Sequence, residues 1–135
     1  MEAHKVCLDT TFLIDHLRGL PDAVHKAGEM KETGSYLCTT PINAFELYIG
    51  AERSQRPRDL TALEGLLADI QILSFGRAEA QEAASIIADL MRKGKMIEMR
   101  DALIAGCMLK NGCTTIITRN VGDFSRIEKL EVIEY

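Results

Sequence analysis

The stretch that decides the fold is Val6-Cys7-Leu8-Asp9-Thr10-Thr11-Phe12-Leu13-Ile14-Asp15. Its opening, from about His4 to Leu8, is an apolar run of the kind that forms a buried strand. The run ends on a carboxylate, Asp9, and Thr10 or Thr11 can then cap a short amphipathic helix. Asp9 is therefore expected at the carboxyl end of a strand. Ligands of open parallel sheets bind in the crevice outside those ends, so an acid there is placed to act rather than to pack.

Working outward, the first helix ends near Gly19, and Leu20-Pro21 opens a second that runs to about Lys31 before Gly34. Ser35 to Thr39 reads as a strand. Thr40-Pro41 then supplies an N-cap and first helical position for a helix over Ile42 to Gly50. Helical spacing puts Ile42, Phe45 and Ile49 on its inward stripe, with Glu46 projecting from that same buried face. Because an unpaired buried charge is costly, Glu46 is expected to have a partner or a metal. Glu52 to Asp59, interrupted by Pro57, reads as a solvated connection.

Further on, Leu60 to Leu67 predicts a helix and Ile70 to Phe75 a strand. A long helix over Arg77 to Lys93 carries Ala80, Ala83, Ala84, Ile87, Leu90 and Met91 on its packing face. Asp101 opens a buried helix through Leu109, closed by Lys110-Asn111-Gly112. Thr114 to Thr118 and Leu130 to Ile133 supply the last strands. This alternation predicts one domain over residues 1–135, an α/β fold built as a three-layer α/β/α sandwich on a mainly parallel sheet of about five strands.

A chain of 135 residues with 47% hydrophobic and 27% charged residues can bury a single core without covalent staples. Cys7, Cys38, Cys107 and Cys113 form no C-x-x-C pair and read as reduced core thiols of a cytoplasmic protein rather than a disulfide or zinc framework. No basic segment followed by an apolar stretch opens the chain, and the longest apolar run, Ala102 to Leu109, is too short to span a bilayer. No membrane association is expected. A net charge of -4 argues against coating nucleic acid with a basic surface. Converging acids that held two divalent ions would cancel that charge and leave nucleic acid open as a substrate.

The topology itself predicts such convergence. In a right-handed βαβ unit each helix begins at the edge where strands end. Asp9, Glu46 and Asp101, with Asn120 and Asp123 after the Thr114 strand, all fall on that edge. Taken singly, Asp9, Asp101 and Asp123 suit ordinary turns and helix starts, and Glu46 suits a dimer rim. Together they repel one another unless a proton or cation intervenes. Oxygen ligands without a His or Cys companion favour Mg²⁺, with Mn²⁺ as an alternative, over zinc. Such a site suits phosphoryl chemistry with a metal-activated water.

These residues resemble the PIN domain, and within it the VapC-type ribonuclease toxins of toxin–antitoxin pairs. The resemblance is carried by Asp9 to Asp15, by Asn43-Ala44-Phe45-Glu46-Leu47-Tyr48-Ile49-Gly50, by Ile97 with Asp101-Ala102-Leu103-Ile104-Ala105, and by Thr118-Arg119-Asn120 with Asp123-Phe124-Ser125-Arg126-Ile127. It implies a PIN-like ribonuclease domain, a metal-dependent endoribonuclease in which Asp9, Glu46 and Asp101 surround Mg²⁺. By the same carry-over Asp123 joins the catalytic acids, Thr10, Thr118 and Asn120 support them, and Asp15 supports the first motif. Members often have an aspartate two positions after the Thr118 equivalent; here Asn120 stands there, and either it or Asp123 completes the site. The resemblance further implies a sheet ordered 3-2-1-4-5, a homodimer, an RNA substrate and a VapB-type antitoxin partner.

Arg53, Arg56, Arg92, Lys93, Lys95, Arg100 and Arg119 are candidates to grip an RNA backbone, and Tyr48 to stack on a base. Three other functions compete, among them a receiver-type phosphoacceptor, whose adjacent acids at the first loop and late lysine are not matched here. An aspartate-nucleophile phosphatase would need a second acid two positions after Asp9, where Thr11 stands. A catalytically silent PIN scaffold serving only protein contacts would have no use for Asp9, Glu46 and Asp101 together.

Overall fold

In the computed structural model, which describes residues 4–135, β1 (Lys5–Leu8) is the central strand of a five-stranded sheet. Parallel pairing joins it to β2 (Tyr36–Thr39) and to β4 (Thr115–Ile117). β3 (Gln71–Ile72) and β5 (Glu131–Ile133) form the parallel edges, giving the order β3-β2-β1-β4-β5 that the resemblance implied. The helices are α1 (Thr10–Leu17), α2 (Pro21–Glu32), α3 (Pro41–Ser54), α4 (Pro57–Ala68), α5 (Arg77–Arg92), α6 (Met99–Lys110) and α7 (Gly122–Ser125).

Strand alternation sends successive β1 side chains to opposite faces, and each face meets its own core. Val6 and Leu8 pack with Phe12, Leu13, Leu47 and Leu63 beneath α1 to α4. Cys7 packs with Ile104, Met108, Leu90 and Phe124 beneath α5 to α7. These two cores, one on each side of the sheet, make the predicted three-layer sandwich. The four cysteines are free and buried, as expected of core thiols. Among the described residues no helix is long and apolar enough to cross a membrane.

α5 and α6 approach so closely that a Cβ on Gly106 would come within 2.6 Å of the Ala83 backbone nitrogen. Gly94, at φ +70°, ends α5 in the left-handed conformation that glycine adopts without a Cβ penalty.

Four expectations need correction. The charged stretch from Glu52 to Asp59 is not a connection: α3 extends to Ser54, Gln55 turns at φ 57°, and Pro57 starts α4 as its first helical residue. The strand expected over 70–75 shrinks to two residues, because an edge strand has one neighbour and Ile72 stays exposed. On α5 the packing line runs through Ala83, Ile86, Ile87 and Leu90, while Ala80, Ala84 and Met91 face solvent. Most consequentially, Phe45 and Ile49 are exposed, and α3 buries Asn43, Ala44 and Leu47 instead.

Candidate active site

Asp9 leaves the end of β1 and precedes α1, with its backbone amide donating to the Ile117 carbonyl of β4 at 3.1 Å. Its carboxylate is buried, at 1% exposure, and every oxygen has a donor. Thr118 Oγ1 donates to Oδ2 at 2.7 Å, and Asn43 Nδ2 donates to Oδ1 at 2.9 Å. Thr118 is in turn fixed by the Asn120 amide, which donates to its hydroxyl at 3.0 Å.

Asn43 is the side chain that locks α3 to this corner. The Thr40 hydroxyl caps α3, accepting from the Asn43 amide at 3.3 Å and donating to Asn43 Oδ1 at 2.7 Å. The Asn43 amide group is thereby aimed at Asp9 and at Thr10 Oγ1, 3.0 Å away. One turn on from Asn43, Glu46 lies on the same side of α3 and accepts the Thr10 hydroxyl at 2.8 Å. Glu46 is half-buried, so the expected partner is present although the apolar stripe assigned to its face is not.

Asp101 sits in the first turn of α6 and is 1% exposed. Burial pushes its pKa up to about 7, and the neighbouring Asp123 carboxylate pushes the same way while Arg100 opposes it. Asp123, at the start of α7, is held by the Glu98 backbone amide at 2.8 Å. Of the two residues expected to complete the site, Asp123 thus stands beside Asp101, whereas Asn120 is exposed and contributes its backbone amide.

Three of the acids, Asp9, Glu46 and Asp101, come from separated segments and meet around one cation, Arg100, with Asp123 beside Asp101. Its Nε donates to Glu46 Oε2 at 2.6 Å, one terminal nitrogen to Asp9 Oδ1 at 3.1 Å, and the other to Asp101 Oδ1. Burial works against the guanidinium charge, but Glu46, Asp9 and Asp101 together raise its pKa above the ordinary value. The lining oxygens, carboxylate and hydroxyl, are the hard donor set that suits Mg²⁺ or Mn²⁺. Among the described residues, however, no three His, Cys, Asp or Glu side chains stand close enough to hold an ion, and the space between them is the one Arg100 takes.

Arg100 was expected to grip RNA and is turned inward instead. Arg119 is also engaged: it pairs with Asp15 at 3.1 Å and lies 4.9 Å over the Tyr135 ring, whose hydroxyl donates to Asp15 at 2.6 Å. Asp15 therefore fastens the C-terminal residue to α1 and stands apart from the other acids. Lys93 pairs with Asp89, and Tyr48 donates to Glu64 at 2.9 Å. Sequence reasoning assigned no role to Asn43. Its signal was available: a buried-side amide at N3, one turn before an acid and three residues after a capping threonine.

The PIN-domain family model matches residues 6–130. A tRNA(fMet)-specific endonuclease VapC of Shigella flexneri is 30% identical over 132 residues, covering 97% of this chain and 98% of its own. Among solved structures, DNA-bound VapBC from Salmonella typhimurium superposes with a TM-score of 0.84 at 30% identity, over 97% of this chain and 98% of that one. VapBC2 from Rickettsia felis, bound to a promoter DNA fragment, gives 0.85 at 22% identity over the same shares, a likeness of fold.

Proposed function

The chain belongs to the PIN-domain family, among its VapC-type members, and on that premise we propose that it is a metal-dependent endoribonuclease, the toxin of a toxin–antitoxin pair. The observation that carries this assignment is the meeting of Asp9, Glu46, Asp101 and Asp123 at one rim of the sheet.

Asp9, Glu46 and Asp101 would hold Mg²⁺ or Mn²⁺, which when bound supplies an activated water and offsets negative charge on the phosphate. The rest falls to the protein. Thr118 and Asn43 fix both oxygens of Asp9, so this carboxylate cannot rotate away. Thr10 fixes Glu46 in the same manner. Asp123, held by the Glu98 amide and set against Asp101, is the acid that would accept a proton from the attacking water. The first turn of α6 adds positive potential where a scissile phosphate would lie.

RNA is the substrate class, and tRNA is the first choice because the Shigella relative acts on it. A VapB-type antitoxin is the partner, supported by the VapBC complexes that superpose on this fold. A homodimer is the assembly, supported by the exposed apolar face of α3.

The test is incubation of the purified chain with tRNA and other RNAs in Mg²⁺, Mn²⁺ or chelator, with mapping of the cut ends. Cleavage should need the metal, and Asp9→Asn, which removes charge and keeps shape, should abolish it. Cutting by Asp9→Asn at the parental rate would refute the site.

A further inference from the structure

Arg100 is the single cation that reaches any of Asp9, Glu46 and Asp101 among the described residues. Each of its three nitrogens takes one carboxylate, so the guanidinium fills the point toward which the three acids converge. We propose that Arg100 is an internal stand-in for the divalent cation, and that guanidinium and metal are mutually exclusive occupants of the same carboxylate oxygens. This exchange rests on the metal-centre assignment above and adds the residue that sets its affinity.

Three observations support exchange over a supporting role. First, Arg100 does not hold two of the three acids in place. Asp9 is fixed by Thr118 and Asn43 and Glu46 by Thr10, whereas the Asp101 carboxylate takes Arg100 as its donor. Removing the guanidinium therefore leaves Asp9 and Glu46 aimed and frees Asp101 Oδ1. Second, one guanidinium reaches Asp9 Oδ1, Asp101 Oδ1 and Glu46 Oε2 at once, so these three oxygens lie within the span of a single side-chain head. A small hard cation would need these same lone pairs, and a guanidinium kept beside it would add like-charge repulsion. Third, the side chain has a way out. It is 26% exposed and borders an open apolar groove with Met99, Phe45 and Leu103, along which its aliphatic stem can lie while the charged head meets water.

Metal entry then displaces three charge-assisted bonds, which lowers the apparent affinity of the wild-type centre. Arg100 acts through the ion's occupancy and is a positioning residue in that sense. A merely structural arginine would, on removal, weaken ion binding rather than strengthen it.

The experiment is calorimetric titration of the full chain with Mn²⁺ in the absence of RNA, for wild type and Arg100→Met. The variant should bind about tenfold tighter, because no guanidinium then competes for the carboxylate oxygens. Equal or weaker binding by Arg100→Met overturns the exchange while leaving the metal centre standing. No binding by either protein overturns the metal centre itself. Should the variant fail to fold, the wild type still decides the matter by nitrogen-15 NMR. The Arg100 Nε–H, shielded by Glu46, should exchange faster with solvent when Mg²⁺ is added, and an unchanged rate overturns the proposal.

Discussion

α3 has two faces that invert the usual pattern of a surface helix. The side turned toward β1 carries Asn43, wholly buried and hydrogen-bonded to Asp9, Thr10 and Thr40. On the opposite side Phe45 is 64% exposed and Ile49 42%, and with Met99 and Leu103 of α6 they line an open groove. Interior positions normally go to apolar side chains because each buried polar group must find a partner. Here the buried polar group has all its partners, and each is a candidate active-site residue or its cap. The contrast separates two demands on one helix: the inner face is fixed by the geometry of an acid cluster, and the outer, apolar face is the one proposed for self-association.

The largest effect should follow from breaking the inner face. Asn43→Leu keeps the bulk but leaves Asp9 and Thr10 each short of a donor in a buried site, at a cost of about 3 kcal/mol read by urea unfolding. RNA cleavage should fall with it, and unchanged stability would mean that Asn43 is a spectator.

An intermediate effect should come from pH. Asp101 is held up at about 7, above the usual aspartate value of 3.8, so the folded metal-free chain keeps a proton that the unfolded chain has released. Its stabilising contribution is complete below the lower value and is lost as pH rises through the higher one. The urea midpoint of the metal-free protein should therefore fall between about pH 4 and pH 7 and level off above, and Asp101→Asn should flatten that fall.

The smallest effect on the fold belongs to the outer face. Phe45→Ser should change stability by no more than about 0.5 kcal/mol, because an exposed side chain has little burial to lose. Its sedimentation should nevertheless shift toward the monomer, since the same ring lies on the face assigned to self-association. A shift in stability with no shift in assembly would reverse the roles assigned to the two faces.

Much of this was legible along the chain. The apolar run ending at Asp9, the Thr40-Pro41 start of α3 and the glycines after α2, α5 and α6 are local features, set by strand burial, capping and conformational freedom. They predicted the sheet order, through the resemblance, and the edge on which Asp9, Glu46, Asp101 and Asp123 lie. The inward face of α3 was misread, because hydrophobic spacing finds an apolar stripe without saying whether the core or the solvent lies against it.

By itself, then, the sequence determined which acids share a rim, since strand ends and helix starts alternate in a fixed hand. Only the tertiary structure decided what occupies the middle of them. Whether Arg100 points outward to a phosphate or inward to three carboxylates depends on charges brought from residues 9, 46 and 101. Coulombic attraction acts across space, and no local pattern around Met99-Arg100-Asp101 records it.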